Sequence, residues 1–477
     1  MALLFNASKT ANGCAVFDTS TNSIILVNEQ EYECFTHFDQ CKDNSGFLEK
    51  FQSKGFLKEI NIREIRHFET DYLNAFLNRK QEMITFQLTQ RCNLRCTYCP
   101  YSATGNYGHR NHSDASMSIE TAKKAIDFFL SNAVDSSNMH IGFYGGEPLL
   151  EFELIKICIN YIENEYSDCA ISYGLTTNGT LLTMEKYKYL SSKGFNIIVS
   201  IDGPKPIHDR YRVFFNGSGS YDVIMANLEK IRSNYPESSK NIAINTVFGP
   251  QQDDLCNELV FSNLDDVKHY NNISMSLLSN LYLDTPYQYS EAFGATYQRE
   301  LCKLLLYLVG KIRLELTSKV ISSTISTYDR EYHRLFRMEK FPEVLHPSGT
   351  CIPGADRLFV NVYGDLYTCE KVSERSSKTR IGNIESGIAV EKVKELLNIG
   401  SLVSDHCKKC WVIFHCSICA LAADGIDELS ADRILRRCKQ IRFQYQELLK
   451  ALLFLKKNGY SFNWSKKMTK EASLEMD

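Results

Sequence analysis

Three cysteines fall within one short stretch directly after an apolar run. Met83-Ile-Thr-Phe-Gln-Leu-Thr leads into Cys92-Asn-Leu-Arg-Cys96-Thr-Tyr-Cys99. Three thiolates on one tight loop can hold three corners of a cubane iron–sulfur cluster, whose usual complement is four protein ligands. A missing fourth ligand leaves one iron open as a Lewis acid for a substrate or cofactor. A tetrahedral zinc site asks for four ligands, commonly as two CxxC pairs. A disulfide framework asks for an even count in a small secreted chain. Zinc or unligated thiols remain the alternative reading of these residues.

The rest of the chain narrows the choice. Its 477 residues suffice for two or three domains, and a net charge of −3 gives no bulk attraction to nucleic acid. The first residues are too short an apolar run for a signal peptide, and no stretch reaches the ~18 apolar residues of a membrane span. The expectation is a cytoplasmic protein with neither nucleic acid nor membrane as partner, in which 17 cysteines point to clusters rather than disulfides. A second group gathers Cys351, Cys369, Cys407, Cys410, Cys416, Cys419 and Cys438. The others (Cys14, Cys34, Cys41, Cys158, Cys169, Cys256, Cys302) are scattered and read as small buried residues.

From residue 83 onward short apolar runs alternate with helical patterns, the signature of βα units around a parallel sheet. Strands are expected at 83–89, 139–144, 170–177, 196–202, 241–248 and 270–277, and helices at 119–133, 151–166, 183–193, 221–234 and 253–262, the first capped by Ser118. Six units predict an α/β fold with a partial (β/α)6 TIM-like barrel, whose chemistry gathers at the C-terminal strand ends. Residues 1–80 read as a small α+β module with a hairpin over 15–18 and 23–27. It is either an extension packed on the barrel or a peptide-docking module that takes a leader peptide as an added strand. The division is 1–80, barrel 81–285, helical bridge 286–345, cysteine-rich domain 346–440, and a C-terminal helix and tail 441–477.

Polar residues close several of these strands. Tyr144-Gly145-Gly146-Glu147-Pro148 follows the second, its glycines permitting close approach of a ligand to the backbone. Thr176-Thr177-Asn178-Gly179 closes the third and Ser200-Ile201-Asp202-Gly203 the fourth. Hydroxyls, amides and carboxylates there suit a ribose and an α-carboxylate, and turn capping explains them equally well. His112 and Arg110 are candidates for substrate contact by location alone. The CxxC pairs at 407–410 and 416–419 also permit structural zinc.

CxxxCxxC followed about fifty residues later by Gly-Gly-Glu-Pro resembles the radical S-adenosylmethionine (SAM) superfamily. The resemblance implies that Cys92, Cys96 and Cys99 hold a [4Fe-4S] cluster whose open iron chelates SAM. It implies SAM contacts from Tyr98, Gly145, Gly146, Glu147 and Pro148, with Thr177, Asn178, Ser200 and Asp202 as further cofactor residues. The second group is similar to the SPASM extension of radical SAM peptide maturases, which holds two auxiliary [4Fe-4S] clusters. By position, Cys407, Cys410, Cys416 and Cys438 would ligate one, and Cys351, Cys369 and Cys419 the other. Cys416-Ser-Ile-Cys419 has two intervening residues where three are usual. The three-cysteine set leaves its fourth ligand open to Asp356, Asp365, Glu370, water or a substrate thiolate.

These likenesses imply an enzyme that cleaves SAM to a 5′-deoxyadenosyl radical and modifies a ribosomally made precursor peptide with a leader. The expected product is a cysteine thioether, and the expected reductant a flavodoxin- or ferredoxin-like electron donor. Alternatives are a carbon–carbon crosslink, an epimerisation or formylglycine formation in a sulfatase. More distant is a non-enzymatic zinc or iron–sulfur scaffold.

Overall fold

The computed structural model describes residues 3–10, 13–41, 45–101, 109–249, 267, 269–279, 281–283, 287–347 and 351–463. The expected helix at 253–262, Cys256 and the tail from Ser465 lie outside them.

Three antiparallel strands, β1 (Phe5–Thr10), β2 (Gly13–Asp18) and β3 (Ser23–Val27), open the chain. β2 and β3 form the expected hairpin, while β1 has too polar a sequence, Phe-Asn-Ala-Ser-Lys-Thr, to be read as a strand. Val16 packs with Phe35, Phe51 and Leu57 from the helical segments that follow. Phe17, on the opposite face of the sheet, packs with Val412, Tyr445 and Leu449. The N-terminal module is thus fastened to the cysteine-rich region, with Thr19 Oγ1 donating to the Trp411 carbonyl at 2.9 Å.

A short β4 (Glu64–Ile65) precedes six parallel strands: β5 (Met83–Thr89), β6 (Met139–Gly145), β7 (Ile171–Thr177), β8 (Phe195–Ser200), β9 (Ala243–Phe248) and β10 (Asn272–Leu277). All six expected strands are present. Helices Ile119–Ser131, Phe152–Glu165, Met184–Ser192 and Tyr221–Asn234 bury apolar faces in the core that includes Ile84, Phe86, Ile141 and Val199. The Ser118 hydroxyl caps the first by accepting from Thr121 N at 3.0 Å. The partial barrel is therefore as the βα alternation predicts.

The sheet does not stop at β5. After helices Glu291–Leu308 and Thr324–Arg334 and the short β11 (Val344–Leu345), β12 (Leu358–Val360) pairs in parallel with β5, Phe359 opposite Thr85. β13 (Asp365–Tyr367), β14 (Arg380–Asn383) and β15 (Gly387–Ile388) continue it antiparallel, giving ten strands in one sheet. The cysteine-rich region thus extends the barrel sheet. The division at 440/441 falls inside one helix, Ala431–Lys457, which carries Cys438 in its second turn and then buries Tyr445, Leu449 and Leu452. Of the scattered cysteines among the described residues, Cys14 and Cys158 are buried, Cys34, Cys41 and Cys169 are half-buried and Cys302 is exposed, against the expectation of a buried set. Among the described residues no helix is long and apolar enough to cross a membrane.

Candidate active site

The barrel encloses a cavity of about 620 Å³ that reaches the C-terminal strand ends. Cys92, Cys96, Cys99 and Tyr98 line it, as do Gly145, Gly146, Thr177, Asn178 and Ser200. The cysteine loop is held in a compact form by Cys99 N donating to the Cys96 carbonyl at 3.1 Å and Leu94 N to Cys92 Sγ at 3.4 Å. From outside, Arg95 N and Thr97 N donate to the carbonyls of Val213 and Tyr211 at 2.7 and 2.9 Å.

The Gly-Gly-Glu segment works differently from its reading as a ligand cradle. A Cβ on Gly146 would lie 1.9 Å from the Arg91 carbonyl, and one on Gly145, at φ +145°, 2.5 Å from that of Thr89. What approaches the glycines is the backbone leading into the cysteine loop, bound by Gly146 N to Thr89 O at 2.8 Å and Glu147 N to Arg91 O at 2.9 Å. Glu147 and Pro148 do not line the cavity. The Glu147 carboxylate is fully buried and accepts from Thr177 Oγ1 at 2.7 Å, Asn178 N at 2.8 Å and Leu149 N at 3.1 Å. Burial raises its pKa, and those bonds pull the other way. It ties the end of β6 to the end of β7. Asn178 Nδ2 in turn donates to Asn93 Oδ1 at 2.9 Å and lies 3.9 Å from Cys92 Sγ.

Asp202 also stands behind the wall rather than on it. Fully buried, it accepts from Tyr98 OH at 2.5 Å, Arg212 Nε at 2.8 Å and Val247 N at 3.1 Å. Arg212 lines the cavity and covers the Tyr98 ring at 5.4 Å. The side chains of Glu147, Pro148 and Asp202 are turned into protein, where Glu147 and Asp202 hold the residues that line the cavity.

Arg212 is the cation the sequence reading left without a role. Also unassigned were Asn196 and Asn245, which project inward from β8 and β9. Their signal was present: within apolar strands His140, Gly142 and Tyr144, then Gly174 and Thr176, then Asn196 and Ser200, recur at the two-residue spacing of one sheet face. His112 lines the cavity, whereas Arg110 is drawn away into an ion pair with Glu374 at 2.6 Å.

The chemistry of the donor set fits a cluster. Burial pushes the Cys92 thiol up to about 11 and Cys96 to about 12, the negative charge of neighbouring thiolates adding to both. Such thiols ionise at neutral pH only against a strong positive charge, which bound iron provides. The polar strand ends beside them fit a cofactor carrying hydroxyl, amine and carboxylate groups.

Two further cysteine sets lie apart. Cys407, Cys410, Cys416 and Cys438 line one small pocket with Ile399, Val403, Ile413, Ile418 and Ile434. Burial pushes Cys407 and Cys416 to about 12. Burial pushes Cys351 to about 11 and Cys369 to about 12; the charge of Cys419 adds to both, and that of Cys351 adds to Cys369. Among the described residues no group of three His, Cys, Asp or Glu is arranged to hold a single metal ion. A cubane places each thiolate on a separate iron and asks for a wider spread. Of the fourth-ligand candidates, Asp356 lies near enough to Cys351 to raise its pKa, Glu370 lines the main cavity, and Asp365 is engaged by Arg380 and Asn383.

Residues 86–260 match the model of the radical SAM superfamily. The chain carries a radical SAM domain over those residues. Enzymes of that superfamily use SAM and a [4Fe-4S] cluster. The chain is similar to the radical SAM cyclopropyl synthase TigE of Paramaledivibacter caminithermalis, 23% identical over 453 residues, covering 91% of this chain and 87% of that protein. A cysteine-type anaerobic sulfatase-maturating enzyme of Clostridium novyi is 31% identical over 155 residues, 32% of this chain and 40% of its own length. The fold is like that of native anSMEcpe with bound AdoMet (TM-score 0.57, 19% identity, 78% of this chain and 99% of that one).

Proposed function

We propose that this radical SAM enzyme modifies a ribosomally made precursor peptide and links a cysteine sulfur to a carbon of that peptide. The observation that carries the reading is the pairing of a three-cysteine loop on a large cavity with a second three-cysteine set, Cys351, Cys369 and Cys419, beside Glu370 and Lys371, which line that cavity. Two sites with an open ligand position suit two reactants, SAM at one and a substrate thiolate at the other.

When bound at Cys92, Cys96 and Cys99, the [4Fe-4S] cluster and SAM supply a 5′-deoxyadenosyl radical. The chain's own residues do the rest. Gly145 and Gly146 hold the cysteine loop against β6. Glu147 fixes Thr177 and Asn178, which with Tyr98 and Ser200 border the space for SAM. Asp202 keeps Tyr98 and Arg212 in place, and Arg212 offers a cation to a carboxylate. Apolar barrel layers keep water from the reacting carbon. Cys407, Cys410, Cys416 and Cys438 would hold one auxiliary cluster; Cys351, Cys369 and Cys419 would hold the other. The N-terminal module is assigned to the leader, since among the described residues no strand pairs with the outer edge of β3. A flavodoxin- or ferredoxin-like donor supplies the electron, and the many free thiols support a cytoplasmic site of action.

A second reading rests on the similarity to a cyclopropyl synthase along most of the chain. Carbon–carbon bond formation uses the same cavity and asks for no substrate thiolate, and Asp356 would then complete the set at Cys351. Anaerobic co-expression with a short cysteine-rich precursor peptide separates the two. Loss of two hydrogens per link with those thiols no longer alkylatable supports the thioether. The same mass loss with every thiol free supports carbon–carbon closure, and an unchanged mass with that peptide rejects both.

A further inference from the structure

The four-cysteine set lies under a surface whose charge is opposite to that of the whole chain. Between Arg433 and Gln446 there are five cations and no acid, in a protein of net charge −3. Arg433 and Arg437 serve the interior: the first covers the Tyr282 ring at 5.6 Å, and the second is partly buried near Cys419. Arg436 and Lys439 face solvent one helical turn apart. Arg442, a further turn along, meets His406 at 3.0 Å, and Lys408 and Lys409 follow His406 closely in the chain. Among the described residues none of Lys408, Lys409, Arg436, Lys439 and Arg442 has a carboxylate partner, although exposed cations elsewhere on the protein are commonly paired. The apolar side chains Phe443 and Leu435 are 58% and 39% exposed between them. Three of the five cations adjoin a thiol in sequence: Lys408 follows Cys407, Lys409 precedes Cys410, and Lys439 follows Cys438.

We infer that this face, which lies over the Cys407, Cys410, Cys416 and Cys438 group, docks an acidic flavodoxin-type one-electron carrier. The inference rests on the radical SAM reading, because that chemistry consumes an external electron with each reductive SAM cleavage, the carrier being oxidised by one electron as the enzyme is reduced. An acidic carrier complements unpaired lysines and arginines, and the apolar edge of a flavin complements Phe443. The arrangement favours fast, salt-sensitive encounter over tight binding. Nucleic acid and anionic membrane are the other polyanions such a face could meet. The short patch, broken by exposed apolar side chains, suits a small protein better.

The test is binding of an oxidised recombinant flavodoxin to the anaerobically reconstituted holoenzyme by calorimetry, alongside SAM cleavage driven by the reduced flavodoxin or by dithionite. Wild type should bind with an affinity that falls as salt rises. The double substitution Arg436→Glu with Lys439→Glu should weaken binding about tenfold or more and slow flavodoxin-driven cleavage in step. Dithionite-driven cleavage should stay at the wild-type rate. Unchanged binding by the double variant overturns the inference, as does wild-type affinity for phosphatidylglycerol vesicles or RNA without affinity for flavodoxin. Absence of dithionite-driven cleavage in wild type would count against the enzyme reading, and the binding result would still decide the docking face.

Discussion

The barrel loop and the four-cysteine pocket present sulfur in opposite settings. Cys92, Cys96 and Cys99 form part of the wall of a roomy cavity that also shows hydroxyl, amide and guanidinium groups. Cys407, Cys410, Cys416 and Cys438 converge on a pocket walled mainly by aliphatic side chains. A site with three ligands needs space and polar partners for what completes it, whereas four ligands complete themselves and gain from exclusion of water. The count of cysteines and the character of the wall agree in each place. The set at Cys351, Cys369 and Cys419 has three thiols and the cavity edge beside it, which groups it with the barrel site.

The comparison breaks most sharply by removing one thiol from each place. Cys96→Ala should abolish SAM cleavage with dithionite, and Cys407→Ala should leave cleavage measurable while iron falls by about four atoms per chain. Equal loss in both variants would erase the distinction. Gly146→Ala should come next, because its Cβ would press the Arg91 carbonyl and displace the cysteine loop. Iron analysis should show loss at the barrel site alone.

Glu147→Ala leaves Thr177 Oγ1, Asn178 N and Leu149 N without their buried acceptor. It should cost about 3 kcal/mol of stability by denaturant unfolding and weaken SAM binding through the shifted end of β7. A variant that keeps full stability would show that the carboxylate acts on the cofactor directly.

A smaller effect belongs to the region around the closed pocket. Burial alone would raise the Glu331 pKa, but His415, Arg334 and Arg330 outweigh it and depress it from 4.5 to about 2. A folded-state pKa below the unfolded one adds stability above pH 4.5 that is lost as pH falls through 2. Glu331→Gln should therefore lower Tm at pH 7, with the gap from wild type closing on acidification. A gap that persists at pH 2 would assign the residue a packing role only.

Much of this was legible in the chain because parallel strands buried on both faces read as apolar runs, and because thiols spaced on one loop have few other uses. The rest depended on what lies opposite each residue. Gly146 could be read as room for a ligand until the Thr89–Arg91 backbone was seen to fill that room. Glu147 and Asp202 carry the same letters whether they face a cofactor or a neighbouring strand, and only burial separates the two. β1 escaped notice because an edge strand with polar alternate residues carries little apolar signal. Cys438 looked like the end of a domain because helix Ala431–Lys457 changes its buried partners along its length.

The central claim is that the barrel site alone has an iron open to SAM. It is tested most directly by electron paramagnetic resonance of the reduced, reconstituted enzyme with and without SAM, for wild type and for the Cys92→Ala, Cys96→Ala, Cys99→Ala triple variant. The account predicts that SAM shifts one cluster signal in wild type, and that the triple variant lacks this signal and keeps others that SAM leaves unchanged. A SAM-induced shift that survives in the triple variant would contradict it.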